Sequence, residues 1–146
     1  MKVHDVLMAK GQVVETIRPD AKVLIAVHRM RMQNVGALVV SRDGEKVEGV
    51  LCERDVVRGL TRHGADLLEM SVVAVMSRAV PVCSPGDSLS TVMEQMTRTR
   101  NRHVPVVDGQ GRLCGIVSIG DVVKHRLEDM ELEANVLRDG YHLTRH

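Results

Sequence analysis

A nine-residue pattern occurs twice in this 146-residue chain, and it limits the folds available more than any other feature. Gly49-Val50-Leu51-Cys52-Glu53-Arg54-Asp55-Val56-Val57 is echoed by Gly115-Ile116-Val117-Ser118-Ile119-Gly120-Asp121-Val122-Val123, with the two aspartates 66 positions apart. Each copy reads as an apolar strand running into a helix, with a carboxylate in the helix's first turn. Helix N-termini carry free N–H groups and the positive end of the helix dipole, a natural seat for an anion.

The duplication extends well beyond the motif. Val23, Ala26, Val27 and Met30 lie on one helical face, and Leu89, Val92, Met93 and Met96 repeat that face 66 residues later. Strand-like runs are expected over 13–17, 35–40 and 47–52 in the first copy, and over 80–83, 103–107 and 113–117 in the second. Arg18-Pro19-Asp20 and Ser84-Pro85-Gly86-Asp87 read as turns that start helices, with Asp20 as a cap. The helix begun near Glu53 is expected to bury Val56, Val57 and Leu60 and to stop at Gly64. A repeat that preserves helix face, turn and strand together predicts two tandem copies, each covering the other's apolar face. The fold class is therefore α/β (α+β): residues 1–64 form the first copy, 65–72 a linker and 73–127 the second, with 128–146 a helical extension. Within the joining segment the pair Val75-Met76 resembles Leu7-Met8 ahead of the first copy.

The second copy's helix continues past its counterpart. Val123, Leu127, Met130, Ala134, Leu137 and Tyr141 follow one another at steps of four and three, a heptad seam. Such a seam packs either on the protein's own lobes or on a second copy or partner protein.

Composition narrows the function. A net charge of +1 gives no bulk attraction to nucleic acid or membrane, so any anion binding must be local. There is no Trp or Phe and a single Tyr, Tyr141, which removes the aromatic platforms that stack single-stranded bases. Cys52, Cys83 and Cys114 lack C-x-x-C spacing and sit in strand-like surroundings, as small hydrophobes in a reducing compartment. No apolar run reaches membrane-spanning length, and a cytoplasmic location is expected. His142 and His146 fall four apart but have no carboxylate or Cys partner, so no metal is assigned. The sequence holds no G-x-S-x-G, H-E-x-x-H, G-x-G-x-x-G or Walker pattern, which makes a binding module a better reading than an enzyme.

Three groups of residues remain as carriers of chemistry. Ser118 and Asp121 form either a capping box or a phosphate seat opened by Gly120. In the first copy Cys52 replaces the Ser while Asp55 is kept, so Asp55 is expected to do more than cap, such as accept hydrogen bonds from a diol. Arg98-Thr99-Arg100-Asn101-Arg102-His103 is either a solvated basic turn or a set of guanidinium groups aimed at phosphate. Arg58 and Lys124, each three residues after an Asp, either reach a phosphate or stay in solvent.

The paired motifs, together with Arg102-His103-Val104-Pro105-Val106-Val107 and Gly36-Ala37-Leu38-Val39-Val40, resemble the CBS-domain (cystathionine-β-synthase domain) family over residues 3–62 and 71–127. The whole chain resembles a stand-alone CBS pair, a Bateman module. That resemblance implies tandem β-α-β-β-α lobes related by a pseudo-two-fold axis, with two clefts between them that bind an adenosine-containing ligand such as AMP, ATP, NAD(H) or S-adenosylmethionine. It implies a homodimer that signals to a regulated partner protein. By motif position, Asp55 and Asp121 would hold ribose hydroxyls and Ser118 would bond ribose or phosphate. Thr16, Ile17, Val82, Cys83, Gly36, Ala37, His103, Val104 and Pro105 would frame the adenine, and Arg54, Arg100, Arg102 and Lys124 would meet phosphate. Cys52 and the Ala37-Leu38 strand depart from the family pattern, so the second cleft is expected to be the better equipped. A ligand-free dimerisation or scaffold module is the alternative reading, and an enzyme acting on a nucleotide a third.

Overall fold

The computed structural model describes residues 1–144 of the chain, with side chains described as far as Gly140. The seam position Tyr141 and the histidines His142 and His146 lie outside the described side chains. Helix α1 spans Val3–Lys10, strand β1 Thr16–Ile17, helix α2 Val23–Gln33, strands β2 Ala37–Val40 and β3 Gly49–Cys52, and helix α3 Glu53–His63. Two 3-10 turns, Gly64–Glu69 and Val72–Ala74, lead to helix α4 Leu89–Thr99, strands β4 His103–Val107 and β5 Leu113–Ser118, and helix α5 Ile119–Thr144.

Both lobes have the same sheet. β1 pairs parallel with β2, matching Ile17 with Val40, and β2 pairs antiparallel with β3. In the second lobe Cys83 bridges parallel to Val106, the counterpart of Ile17 against Val40, and β4 pairs antiparallel with β5. The runs expected over 13–17 and 80–83 thus shrink to two residues and to a single bridge. Every residue of β2 is buried, as suits a central β-branched strand flanked on both sides.

The two lobes are tied by exchange. α1 does not pack on the lobe it precedes: Val3, Val6 and Leu7 are fully buried in the second lobe's core with Leu89, Val92, Met96, Val104 and Val117. Reciprocally, Val72, Val75 and Met76 pack in the first lobe's core with Ile17, Ala26, Leu38 and Leu51. The backbone repeats the exchange bond for bond. Val3 N–H donates to the Asp87 carbonyl as Val72 N–H donates to Ala21, and Leu89 N–H donates to Met1 as Val23 N–H donates to Met70. This pairing sets Val75-Met76 against Val6-Leu7, one residue earlier than the sequence resemblance had placed it.

Three further expectations change. The cap of α2 is Lys22, and Asp20 instead meets the Arg18 guanidinium in the preceding turn, because the Met70 carbonyl already occupies the helix-end N–H of Val23. α3 buries Asp55 and Gly59, while Val57 and Leu60 are 62% and 47% exposed. The cause is Gly59, whose missing Cβ lets the helix lie against Leu67 and rolls the opposite face outward. Leu67 is fully buried, so 64–69 is a packed element and not a loose linker. Finally, α5 buries Val122 and His125 and then leaves the body: Val123, Leu127, Met130 and Leu137 are all exposed. The heptad seam faces away from the protein's own lobes.

Candidate functional site

Asp55 stands in the first turn of α3, where the chain leaves β3 through an extended Cys52. One carboxylate oxygen, Oδ2, accepts hydrogen bonds from the Cys52 N–H at 3.0 Å and the Cys52 thiol at 3.2 Å. The other, Oδ1, accepts the Ser77 hydroxyl at 2.9 Å and faces the Arg58 guanidinium at 3.8 Å. The expectation that Asp55 lacks a capping partner is corrected by this geometry, because thiol and carboxylate close a capping box as Ser and Asp do. The additional role lies in the Ser77 contact: Asp55 joins α3 to the segment that arrives from the linker.

Asp55 opens onto a cavity of about 650 Å³ between the lobes, within the size range of small-molecule sites. Arg54 and Arg58 line it from α3, Arg100 and Arg102 from the turn between α4 and β4, and His103 from the start of β4. Arg100 caps α4 in the left-handed conformation at φ 57°, and its counterpart Asn34 caps α2 at φ 54°. Asn tolerates that conformation, whereas Arg adopts it at a cost, so this turn projects its guanidinium groups against local preference. The Arg54 guanidinium donates to the Arg100 carbonyl at 3.1 Å and links the lobes across the cavity. Gly36 marks the closest approach, since a Cβ there would lie 3.3 Å from both Glu53 and the His103 imidazole. Burial holds the His103 imidazole below its usual pKa, against the opposing pull of Glu53, so it faces the cavity uncharged at neutral pH. Four arginines and two acidic residues, Glu53 and Asp55, thus line one cavity.

The second copy is arranged differently. Ser118 and Asp121 make a complete capping box, with the Ser118 hydroxyl accepting from Asp121 N–H at 3.1 Å and the Asp121 carboxylate accepting from Ser118 N–H at 2.9 Å. The same carboxylate oxygen accepts the Lys10 ammonium at 2.6 Å. Burial pushes the Asp121 carboxyl up, but Lys10 and the Ser118 N–H outweigh it and hold the group below the usual range.

Of the residues singled out in the sequence, the cavity gathers Gly36, Cys52, Arg54, Asp55, Arg58, Arg100, Arg102 and His103. Ile17, Ala37, Val104, Pro105 and Cys83 lie buried in the lobes, Val82 and Lys124 are exposed, and the Thr16 carbonyl accepts the Arg29 guanidinium at 2.6 Å. Ser118 and Asp121 lie outside this cavity. Among the lining residues that sequence reasoning missed are Glu53 and Ser77, and Ser77 is the one bonded to Asp55. It sits in no motif and reaches Asp55 only because Ser77 and Val50 exchange backbone hydrogen bonds at 2.9 and 3.0 Å. Among the described residues, no cluster of three or more His, Cys, Asp or Glu side chains is placed to hold a metal ion, and no helix is long and apolar enough to cross a membrane.

The family pattern for the CBS domain matches residues 3–62 and again 72–128. The chain belongs to the CBS-domain family. This CBS pair is 34% identical to the CBS domain-containing protein CBSX3, mitochondrial, of Arabidopsis thaliana, over 95% of its own length and 73% of that protein's. It is similar in structure to the CBS-domain protein ATU1752 of Agrobacterium tumefaciens, with a TM-score of 0.80 and 42% identity over 86% of this chain and 98% of that one. The CBS domain pair of protein MJ0100, solved with 5-methylthioadenosine and S-adenosyl-L-methionine, shares the fold at a TM-score of 0.76 and 21% identity, over 85% and 98% of the two chains.

Proposed function

We propose that this CBS pair is a regulatory module that binds an adenine nucleotide between its lobes and passes the change in their seating to a partner protein. The observation that carries the reading is the inter-lobe cavity where Asp55 meets Arg54, Arg58, Arg100 and Arg102. A buried carboxylate beside guanidinium groups offers acceptors for a ribose diol and donors for phosphate in one place. The adenosine compounds bound by the MJ0100 pair support the same class of ligand. Because the cavity is lined from both repeats, a ligand there has different contacts when the lobes are apart, which is the differential affinity a conformational signal requires. Mass spectrometry of small molecules released on denaturing the purified protein, followed by calorimetry with each candidate, tests the reading. Failure of every adenosine compound to bind refutes it, and nucleotide recovered chemically altered after incubation would make the module an enzyme. Three free cysteines support a reducing compartment such as the cytoplasm.

A second reading is favoured by the exposed apolar run Val123, Leu127, Met130 and Leu137 on α5, a surface that suits a homodimer. As a ligand-free scaffold the protein would show no thermal shift with any adenosine compound, and replacing Leu127 and Met130 with Glu would abolish its self-association in light scattering.

A further inference from the structure

The two clefts of a duplicated module are expected to be alike, and here they are not. Shifting each cationic residue of the Asp55 cavity by the repeat spacing of 66 gives its counterpart in the other copy: Arg54 corresponds to Gly120, Arg58 to Lys124, Arg100 to Asn34 and Arg102 to Gly36. Four guanidinium groups are replaced by one ammonium. Independently, the acceptor that would receive a ribose is engaged differently in the two copies. Ser77, a neutral hydroxyl, touches Asp55 at 2.9 Å, whereas the Lys10 ammonium is ion-paired with Asp121 at 2.6 Å. Both side chains come from the exchanged segment that precedes a lobe's first strand. A hydroxyl both donates and accepts, so Ser77 yields a carboxylate lone pair to an incoming diol by rotating and accepting in turn. An ammonium only donates, and displacing it breaks a charge-assisted bond and leaves two half-buried charges to be resolvated.

We infer that the module holds one nucleotide per chain, in the Asp55 cleft, that the cleft selects adenosine polyphosphates over adenosine or cationic adenosyl compounds, and that Lys10 keeps the Asp121 cleft closed to ribose. The inference rests on the proposed nucleotide-binding role of the inter-lobe cavity. The selectivity follows from charge. Arg58 and Arg102 are exposed at the cavity's rim, and Arg58 makes only a long 3.8 Å pair with Asp55, so both are placed to meet the outer phosphates, while Arg54 is fixed by the Arg100 carbonyl. A sulfonium or an uncharged thioether gains nothing from four guanidinium groups, and each added phosphate does.

Titration calorimetry on the full chain, with adenosine, AMP, ATP and S-adenosylmethionine as probes at one fixed salt concentration, tests this. The expected result is one ATP per chain, with affinity falling in the order ATP, AMP, adenosine. The double variant Arg58→Gln/Arg102→Gln keeps the fold, since both side chains are at the surface, and should weaken ATP by roughly 10- to 100-fold while moving adenosine by less than about three-fold. Lys10→Met should leave the ATP affinity within about two-fold of wild type, because the pair it breaks lies outside the occupied cleft. Two equivalents of comparable affinity, equal binding of adenosine and ATP, or loss of ATP binding in Lys10→Met with the arginine variant unaffected would each overturn the inference while leaving nucleotide binding intact. No binding of any of the four probes would overturn the nucleotide reading itself.

Discussion

Gly49→Ala isolates the contact that couples lobe exchange to the site. A Cβ on Gly49 would stand 2.6 Å from the Ser77 carbonyl oxygen and 2.9 Å from the Met76 sulfur. The methionine can swing away, but the carbonyl is backbone and is itself held by the Val50 N–H at 3.0 Å. Reaching ordinary contact requires the carbonyl to retreat by about 0.8 Å, which strains both bridge hydrogen bonds. Overpacking of this kind costs about 1–3 kcal/mol, and weakening two net hydrogen bonds adds about 1–2 kcal/mol. Removing a strand glycine returns about 0.5–1 kcal/mol through backbone entropy, which leaves a loss of about 1–4 kcal/mol. That is a large share of the roughly 5–15 kcal/mol that holds a domain folded. Gly115→Ala is the internal control: its Cβ meets the Leu7 Cδ2 at 2.6 Å, a side-chain tip that can rotate, so the loss should be about 1–2 kcal/mol. Urea unfolding of wild type and both variants reads the difference directly. A Gly49→Ala protein within about 0.5 kcal/mol of wild type, or a Gly115→Ala protein that loses more, would refute the argument that Ser77 is pinned by backbone and Leu7 only by side chain.

Other consequences follow from the same geometry. Leu7→Ala, at a fully buried position in the exchanged helix, should cost about 2–5 kcal/mol and destabilise the second lobe more than the first, as amide hydrogen exchange would show. His103 is held below the usual value of 6.5 by burial, so the unfolded chain takes up its proton first as pH falls; stability should be full above about pH 6.5 and decline below it, and His103→Gln should flatten that slope in urea midpoints. The Asp121 carboxyl, held low chiefly by Lys10 against the effect of burial, contributes stability above its usual 3.8 that disappears in acid, and Lys10→Met should reduce the steepness of acid unfolding. Burial pushes the Cys83 thiol up to about 12, with Asp87 and Cys114 adding to it, so iodoacetamide at pH 8 should label Cys83 last among the three cysteines in peptide mass spectra.

Much of this was legible from residues alone because it depends on local periodicity. The strand runs 37–40 and 103–107, the apolar faces of α2 and α4, and the motif at each strand-to-helix turn all follow from spacing within a dozen residues. The boundaries that failed had distant causes: the start of α2 is set by a carbonyl from residue 70, and the outward turn of Val57 and Leu60 by Leu67 beneath Gly59. The equivalence of Asp55 and Asp121 was likewise visible as a repeat.

Residue spacing alone establishes two like lobes, a carboxylate at a helix start in each, and a crowd of arginines at one strand approach. That α1 and the linker trade places between lobes is visible only once the cores are assembled. That exchange brings Ser77 to one carboxylate and Lys10 to the other, while the seating of one lobe on the other brings Arg100 and Arg102 into the cavity that Asp55 lines with Arg54 and Arg58. The physical reason is that a motif encodes its own hydrogen bonds, whereas which charge faces it depends on chain segments some 20 to 110 residues away that meet it only when the two cores close.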